Sequence, residues 1–495
     1  MEKFIRIHSD DNVIVAITRI TKGEILIIDN TSLKVREDIQ PGHKIAIRNI
    51  SKDDNITKYG NPIGHASAYI QAGEHVHVQN VKTNLSDCKA YEYHPKFNEL
   101  NTPTSGMTFK GYKRKNGDVG IRNELWIIPT VGCVNGQANA IVKRFKQEHH
   151  TEHIENIHVF GHNYGCSQLG DDHINTRTVL GNMIKHPNAG GVLVLGLGCE
   201  NNQINELKKS LGDFDESRVK FLNSQDVDNE IEVGQKLVEE LYLSMEDDIR
   251  TDCPISDLKI GLKCGGSDGF SGITANPLLG IFSDLLIANG GSTVLTEVPE
   301  MFGAEHILME RAENKEVFDK TVSLINDFKA YFIKHDQPIY ENPSPGNKAG
   351  GITTLEDKSL GCTQKGGAAK IVDVLKYGEV IHKNGLNLLS SPGNDLVAAS
   401  ALGFSGCQMV LFTTGRGTPF GSFIPTLKIS TNSDLAKRKS HWIDFDAGAV
   451  LETGDMKSLA ESFLSFVIET ANGKELNHEK TGFREIAIFK TGVTL

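Results

Sequence analysis

A short apolar run that stops at Gly-Cys occurs three times between Leu125 and Asn202, and no other stretch constrains the fold as much. The copies are Trp126–Cys133, Ile157–Cys166 and Val192–Cys199, with the cysteines 33 residues apart. A βα unit takes about 30 residues, so each interval fits one strand, one helix and two loops. The intervening segments carry helical stripes. Ala138, Ile141, Val142 and Phe145 form the first, and Thr176, Val179, Leu180, Met183 and Ile184 the second. Ile204, Leu207 and Leu211 form a weaker third. Near-continuous apolar strands alternating with amphipathic helices predict a parallel sheet covered on both faces. The Gly-Cys pairs then stand at the carboxyl ends of their strands, the edge where open α/β sheets bind ligands.

The chain has 495 residues, enough for several domains. A net charge of −11, without any Lys/Arg block, argues against nucleic acid or an anionic membrane as the main partner. It leaves room for a small anionic substrate bound by a few local cations. No apolar stretch approaches the ~18 residues of a membrane span, and Met1-Glu-Lys-Phe4 lacks the apolar region of a signal peptide. Eight cysteines in so long a chain are not a disulfide framework. They read as reduced thiols of a cytoplasmic protein.

The predicted fold class is α/β, with a small all-β domain ahead of two α/β domains whose sheets are largely parallel. The all-β domain covers 1–90, where short alternating strands are punctuated by Lys22-Gly23, Pro41-Gly42 and Ala72-Gly73. A linker follows over 91–108, then an α/β domain over 109–250, a polar boundary, and a C-terminal α/β domain over 255–495. In the last domain a strand ends at Cys264, another ends in Glu297, and Leu386 to Phe412 reads as a βαβ unit. Residues 340–376 give no clear secondary structure. Such a long polar, glycine-rich stretch within a compact domain is usually functional or disordered, and its charged residues among small ones favour function.

Several motifs carry chemistry. In Gly73-Glu-His-Val-His77 the strand period puts His75 and His77 on one face, where two imidazoles can reach one metal ion. Two ligands do not complete a site, so carboxylates or thiolates from another domain must join them. The three strand-end cysteines could hold iron or an iron–sulfur cluster, line a pocket, or simply pack as small buried residues. Asp171-Asp-His173 heads a helix, where one aspartate caps free N–H groups and the other stands with His173 for proton transfer. The loop Lys263 to Gly272 resembles an anion cradle. Neither it nor Gly196-Leu-Gly-Cys-Glu-Asn201 meets a nucleotide-binding pattern. Arg416, in Thr413 to Thr418, can take a carboxylate or serve as a surface residue on a glycine turn.

Together these motifs resemble the altronate/galactarate dehydratase family. The resemblance is carried by Gly73-Glu-His-Val-His77, Gly117-Asp-Val-Gly-Ile-Arg-Asn-Glu124, Tyr164-Gly-Cys-Ser-Gln168, Asp171-Asp-His-Ile-Asn-Thr-Arg177, Lys263-Cys-Gly-Gly-Ser-Asp268, Leu295-Thr-Glu-Val-Pro-Glu300 and Glu341-Asn-Pro-Ser-Pro-Gly-Asn347. It runs the length of the chain. It implies a β-clip (SAF-type) domain at the front and a hydro-lyase dependent on Fe²⁺ or Mn²⁺. The implied reaction dehydrates D-altronate to 2-dehydro-3-deoxy-D-gluconate in hexuronate catabolism. Galactarate or a related sugar acid is the alternative substrate, and a sugar-acid sensor the non-enzyme alternative. The resemblance leaves a homodimer open.

Under this resemblance His75 and His77 are expected to bind the metal with Glu297. Lys263, Asp268 and His173 are the candidates for proton transfer. Arg122, Lys348 and Arg416 are the candidates for the substrate's carboxylate and hydroxyls. A single divalent ion is expected, with Cys133, Cys166 and Cys199 as pocket lining; an iron–sulfur cluster on these cysteines is the second reading. The β domain is expected to dock over the carboxyl edge of a sheet, because its histidines need partners.

Overall fold

The computed structural model describes residues 3–86, 88–97, 99–100, 106–148 and 154–495. Of the expected linker, 98 and 101–105 lie outside the described residues. Its start is held down: the Tyr91 hydroxyl donates to Glu305, and the Tyr93 hydroxyl to the carbonyl of Ala312, at 2.7 and 2.9 Å.

The front of the chain is all-β. A four-stranded antiparallel sheet orders Phe4–Ile5, Val13–Ala16, Lys44–Ala46 and His75–Val76 side by side. A two-stranded ribbon (Ile25–Ile28 with Thr31–Lys34) and a three-stranded sheet (Asn55–Lys58, Asn61–Ala66, Val81–Lys82) complete it. One of its two apolar clusters also takes in Ala304 and Leu360 of the C-terminal domain. The module therefore shares core with that domain.

The repeat folds as its spacing predicts. Asn156–Val159, Glu124–Pro129, Ala189–Gly196 and Val219–Asn223 form one parallel sheet in that spatial order. The first copy is thus central, flanked by the second and third. Helices Asn135–Glu148, Gly170–Ile184 and Ile204–Leu211 bury the three stripes. One expectation fails: neither aspartate caps Gly170–Ile184, which begins at Leu169 without a side-chain cap. Asp172 instead accepts from the backbone N–H groups of Thr491 and Gly492 and so anchors the C-terminal segment. The polar boundary is also partly structured, since Thr251–Pro254 pairs antiparallel with Thr108–Lys113.

The C-terminal domain holds a seven-stranded parallel sheet. Its order is Ile371–Leu375, Leu386–Leu389, Ser292–Leu295, Lys259–Cys264, Met409–Thr414, Thr426–Ser430 and Phe445–Asp446. Lys259–Cys264 is central, so the loop that follows it opens at the middle of the carboxyl edge. The two α/β domains pack through aromatic rings. Trp126 and Phe160 of the second domain each meet Phe423 of the last edge to face, at 5.6 and 5.9 Å between centroids, each such pair adding about 0.5–1.5 kcal/mol beyond burial of area.

Residues 340–376 prove to be helical in part: Pro345–Ala349, Leu355–Cys362 and a 3₁₀ turn Thr363–Gly366 precede the strand Ile371–Leu375. Leu355–Cys362 is buried on every side, charged residues included, so it has no apolar stripe to betray it. Among the described residues, no helix is long and apolar enough to cross a membrane.

Candidate metal centre and active-site cleft

The β module meets the C-terminal domain at glycines because the two backbones touch. Gly42 has φ of +83°, and a β-carbon there would sit 2.9 Å from the carbonyl oxygen of Gly350. Beside this contact lies a buried ion cluster. The Lys44 ammonium donates to the Gly351 carbonyl and to Asp357 at 2.7 and 2.8 Å, and Lys58 donates to the other Asp357 oxygen at 2.9 Å. Burial alone would raise the Asp357 pKa, but the two ammonium groups outweigh it and hold the carboxyl well below its usual range.

Beside this contact the β module alone supplies a group that could hold a metal ion, so its third member is not the carboxylate or thiolate expected from another domain. His43, His75 and His77 bring ring nitrogens within 4.8 Å of one another. His43 Nδ1 stands 2.9 Å from His75 Nε2. The outer nitrogens face the C-terminal domain: His43 Nε2 meets the Ala349 carbonyl at 3.3 Å, and His77 Nδ1 meets Thr353 Oγ1 at 3.1 Å. An Nε2–H donated to the carbonyl leaves His43 Nδ1 unprotonated, and an Nδ1–H donated to Thr353 leaves His77 Nε2 unprotonated. Such outer hydrogen bonds orient imidazole ligands. Burial, with help from Lys44 and the neighbouring rings, lowers His75 to about 4 and His77 to about 3, and lowers His43 as well. All three rings are therefore neutral near pH 7, as metal ligation needs.

His43 escaped the sequence reading. Lys44 pairs with Val76 and Ile45 with His75, which sets His43 across from His77. That register joins strands far apart in the chain, so no local pattern announces it. The signal available was Pro41-Gly42 turning into an apolar strand beside a histidine.

Next to the triad, three loops frame a cleft at the carboxyl edge of the seven-stranded sheet. The Gly265–Gly272 loop carries Asp268, whose carboxylate accepts from Thr431 Oγ1 at 2.9 Å, Asn432 Nδ2 at 3.0 Å and the Phe270 N–H at 3.1 Å. A β-carbon on Gly350 would lie 3.0 Å from that of Asp268, and one on Gly266 would lie 3.1 Å from that of Arg416. Arg416 and the segment that carries Lys348 therefore both border this loop. Lys348 is half-buried and Arg416 exposed.

The floor of the edge is charged and dry. Fully buried Lys263 donates to Asp395 at 2.7 Å and pairs with Glu297 at 3.2 Å. Burial opposes its charge, but Asp395 and Glu297 outweigh that and raise the ammonium above its ordinary range. Glu300 joins Lys358 at 2.6 Å and the thiols of Cys264 and Cys362 at 3.0 and 3.2 Å. Asp395, Glu300, Lys358 and Cys362 were not singled out from sequence, because their partners come from distant loops.

The structure sets the Asp268 loop against the segment His43 touches, since the Gly269 N–H donates to the Gly350 carbonyl at 2.7 Å; Arg416 lies beside Gly266 of that loop, and Lys263 stands in the strand that leads into it. It does not bring in the others. Glu297 stands among Lys263, Lys365 and the Cys264 N–H rather than at the histidines, and the group there that could hold a metal ion takes its third member from His43. Arg122 spends all five N–H groups on Glu479, Ile121, Thr470 and Lys474, leaving none for a substrate. His173 bonds Arg177 at 2.9 Å on the other α/β domain.

Family models match nearly the whole chain. The altronate/galactarate dehydratase SAF domain covers residues 2–84, the D-galactarate dehydratase/altronate hydrolase second domain 111–246, and the D-galactarate/altronate dehydratase C-terminal domain 255–494. The chain belongs to the altronate/galactarate dehydratase family. Within this family it is 61% identical to altronate dehydratase of Bacillus subtilis (strain 168) and 58% identical to that of Escherichia coli (strain K12), with 100% of each chain covered. It is 33% identical to galactarate dehydratase (L-threo-forming) of Escherichia coli, over 95% of this chain and 93% of that one.

Proposed function

We propose that this chain is a hydro-lyase that dehydrates D-altronate to 2-dehydro-3-deoxy-D-gluconate and water. The full-length identity of 58–61% to two altronate dehydratases, against 33% to a galactarate dehydratase, favours altronate over galactarate. Among structural features, the convergence of three neutral imidazoles carries the reading, together with Lys348 and Arg416, whose side chains have no hydrogen-bond or ion-pair partner among the described residues. Imidazole donors with outer hydrogen bonds fit a borderline divalent ion, and three of them suit Fe²⁺ better than Mn²⁺. An ion held by His43, His75 and His77 would supply a Lewis acid to the substrate's carboxylate.

The chain's own groups do the rest. Lys348 and Arg416 bind the carboxylate and hydroxyls of the sugar acid beside the Asp268 loop. Asp268 keeps that loop in place through its hydrogen bonds from Phe270, Ser271, Thr431 and Asn432. Asp395 is the exposed end of the Lys263 pair and moves protons at the cleft, with Lys263 holding a proton for the departing hydroxyl. Water exclusion at the buried floor strengthens these charges. Free thiols throughout the chain suit a reducing, cytoplasmic setting.

The test is anaerobic incubation with D-altronate and Fe²⁺, following the 2-keto acid formed, with galactarate in parallel. A higher kcat/KM for altronate is expected. Binding of altronate without 2-keto acid would favour a sensor and reject the hydro-lyase.

A further inference from the structure

Each cysteine of the 33-residue repeat is followed two positions later by an amide side chain: Asn135, Gln168 and Asn201. In the structure these amides stitch the three strand-end loops together. Asn135 Nδ2 donates to the His162 carbonyl at 2.8 Å, Gln168 Oε1 accepts from the Gly165 N–H at 3.1 Å, and Asn201 Oδ1 accepts from the Ser167 N–H at 2.8 Å. Backbone bonds add to the seam: Gly132 N–H to the Tyr164 carbonyl at 3.0 Å, and Asn202 N–H to the Gly165 carbonyl at 2.9 Å. Close packing explains the glycines, since a β-carbon on Gly165 would lie 2.8 Å from Val131 Cα and one on Gly132 2.8 Å from the His162 carbonyl oxygen. It does not explain the cysteines. Cys133, Cys166 and Cys199 are all exposed, whereas Cys253, Cys264, Cys362 and Cys407 are buried.

We propose that Cys133, Cys166 and Cys199 form a three-thiolate site for an iron–sulfur cluster at the carboxyl edge of the four-stranded sheet. The site is separate from the histidine centre and stands independently of it. Three observations select this ligand. The donors are three soft thiols on the loops that follow neighbouring strands, with Cys133 in the 3₁₀ turn Gly132–Val134 after the central one. Adjacent strands lie about 5 Å apart, so the outer two cysteines start from strands about twice that distance apart, which suits a cluster rather than one ion. Consistently, the described groups of His, Cys, Asp and Glu whose ligand atoms lie within 4.8 Å of one another are the histidine triad and Cys264–Glu300–Cys362, not these three. Finally, Gln168 is only 2% exposed, yet its Nε2 has no hydrogen-bond partner among the described residues. Hydrogen bonds to cluster sulfurs are common, and an amide two residues beyond Cys166 with an unpartnered Nε2 can supply one. Three protein thiolates leave one iron of a four-iron cluster open to an outside oxygen ligand.

The experiment treats the purified full-length protein anaerobically with ferrous iron, sulfide and a thiol reductant. Iron and acid-labile sulfide are then counted, and visible charge-transfer absorbance is recorded. About four irons and four sulfides per chain are expected, beyond the ion at the histidines. Cys133→Ser, Cys166→Ser and Cys199→Ser should each lose most of the sulfide and the absorbance, while Cys88→Ser keeps both. His75→Ala should lose the single ion but keep the sulfide, so the two centres are told apart. Alkylation followed by mass spectrometry gives a reading that needs no variant: reconstitution should protect Cys133, Cys166 and Cys199 and leave Cys88 reactive. No labile sulfide in the wild-type protein, equal sulfide in the triple Ser variant, or equal alkylation before and after reconstitution would overturn the proposal.

Discussion

The Nδ1 atom of His43 stands 2.9 Å from the Nε2 atom of His75, on adjacent strands of the β module and against the backbone of the C-terminal domain. That separation is an ordinary hydrogen-bond distance; with His77 the two rings make up the group proposed to hold the metal. His43→Ala should therefore abolish metal retention as completely as His75→Ala, measured as ion content after gel filtration. Thr353→Val removes only the outer hydrogen bond to His77 and should weaken metal affinity by about 10–100-fold. Full metal retention in His43→Ala would remove it from the centre.

Acid should undo the docking beside this centre. Asp357 is held below its ordinary carboxyl pKa by Lys44 and Lys58. A depressed folded-state value means that its stabilisation is fully present above the unfolded pKa, about 3.9, and is lost as pH falls through the folded value. The β module should stay docked from neutrality down to about pH 4 and separate in stronger acid, seen as an increase in radius of gyration. Asp357→Asn leaves two buried ammonium groups without a counter-charge and should destabilise the protein by about 3–5 kcal/mol at pH 7.

Lys263→Met and Asp395→Asn should act on chemistry rather than binding. Each is expected to lower kcat by about 10²–10⁴-fold, the usual yield of a proton-transfer group, with KM for altronate little changed. Arg416→Ala should do the reverse, raising KM while sparing most of kcat. Steady-state kinetics on the metal-loaded variants separates the two patterns.

Arg122→Ala is expected to damage folding, not recognition. Its guanidinium joins Glu479 at 2.8 Å with both partners nearly inaccessible, and removing it strands a buried carboxylate at a cost of about 3–5 kcal/mol. Thermal unfolding should show the loss, while the fraction that stays folded keeps the wild-type KM.

What could be seen in the sequence follows from the range of each interaction. Local periodicity revealed the 33-residue repeat, its three helices and the same-face pair His75 and His77, because those patterns close within a few turns or strands. The family motifs carried the reaction. His43 stayed hidden because its place depends on a strand pairing between residues 44–45 and 75–76. Arg122 was misjudged because a conspicuous arginine in a motif looks the same whether it faces a substrate or a buried glutamate 357 positions away. Helix Leu355–Cys362 gave no stripe, since Glu356, Asp357 and Lys358 are all buried in it. Glu297 stood at the expected strand end, but the central lysine beside it took the carboxylate.

Metal dependence at the histidine triad is most directly tested by turnover of D-altronate in exhaustively demetallated protein, before and after Fe²⁺ is returned, with His43→Ala carried alongside. The expected result is no 2-keto acid from the demetallated wild type, recovery on adding Fe²⁺, and no recovery in His43→Ala at the same concentration. Full turnover without metal, or wild-type recovery in His43→Ala, would contradict it.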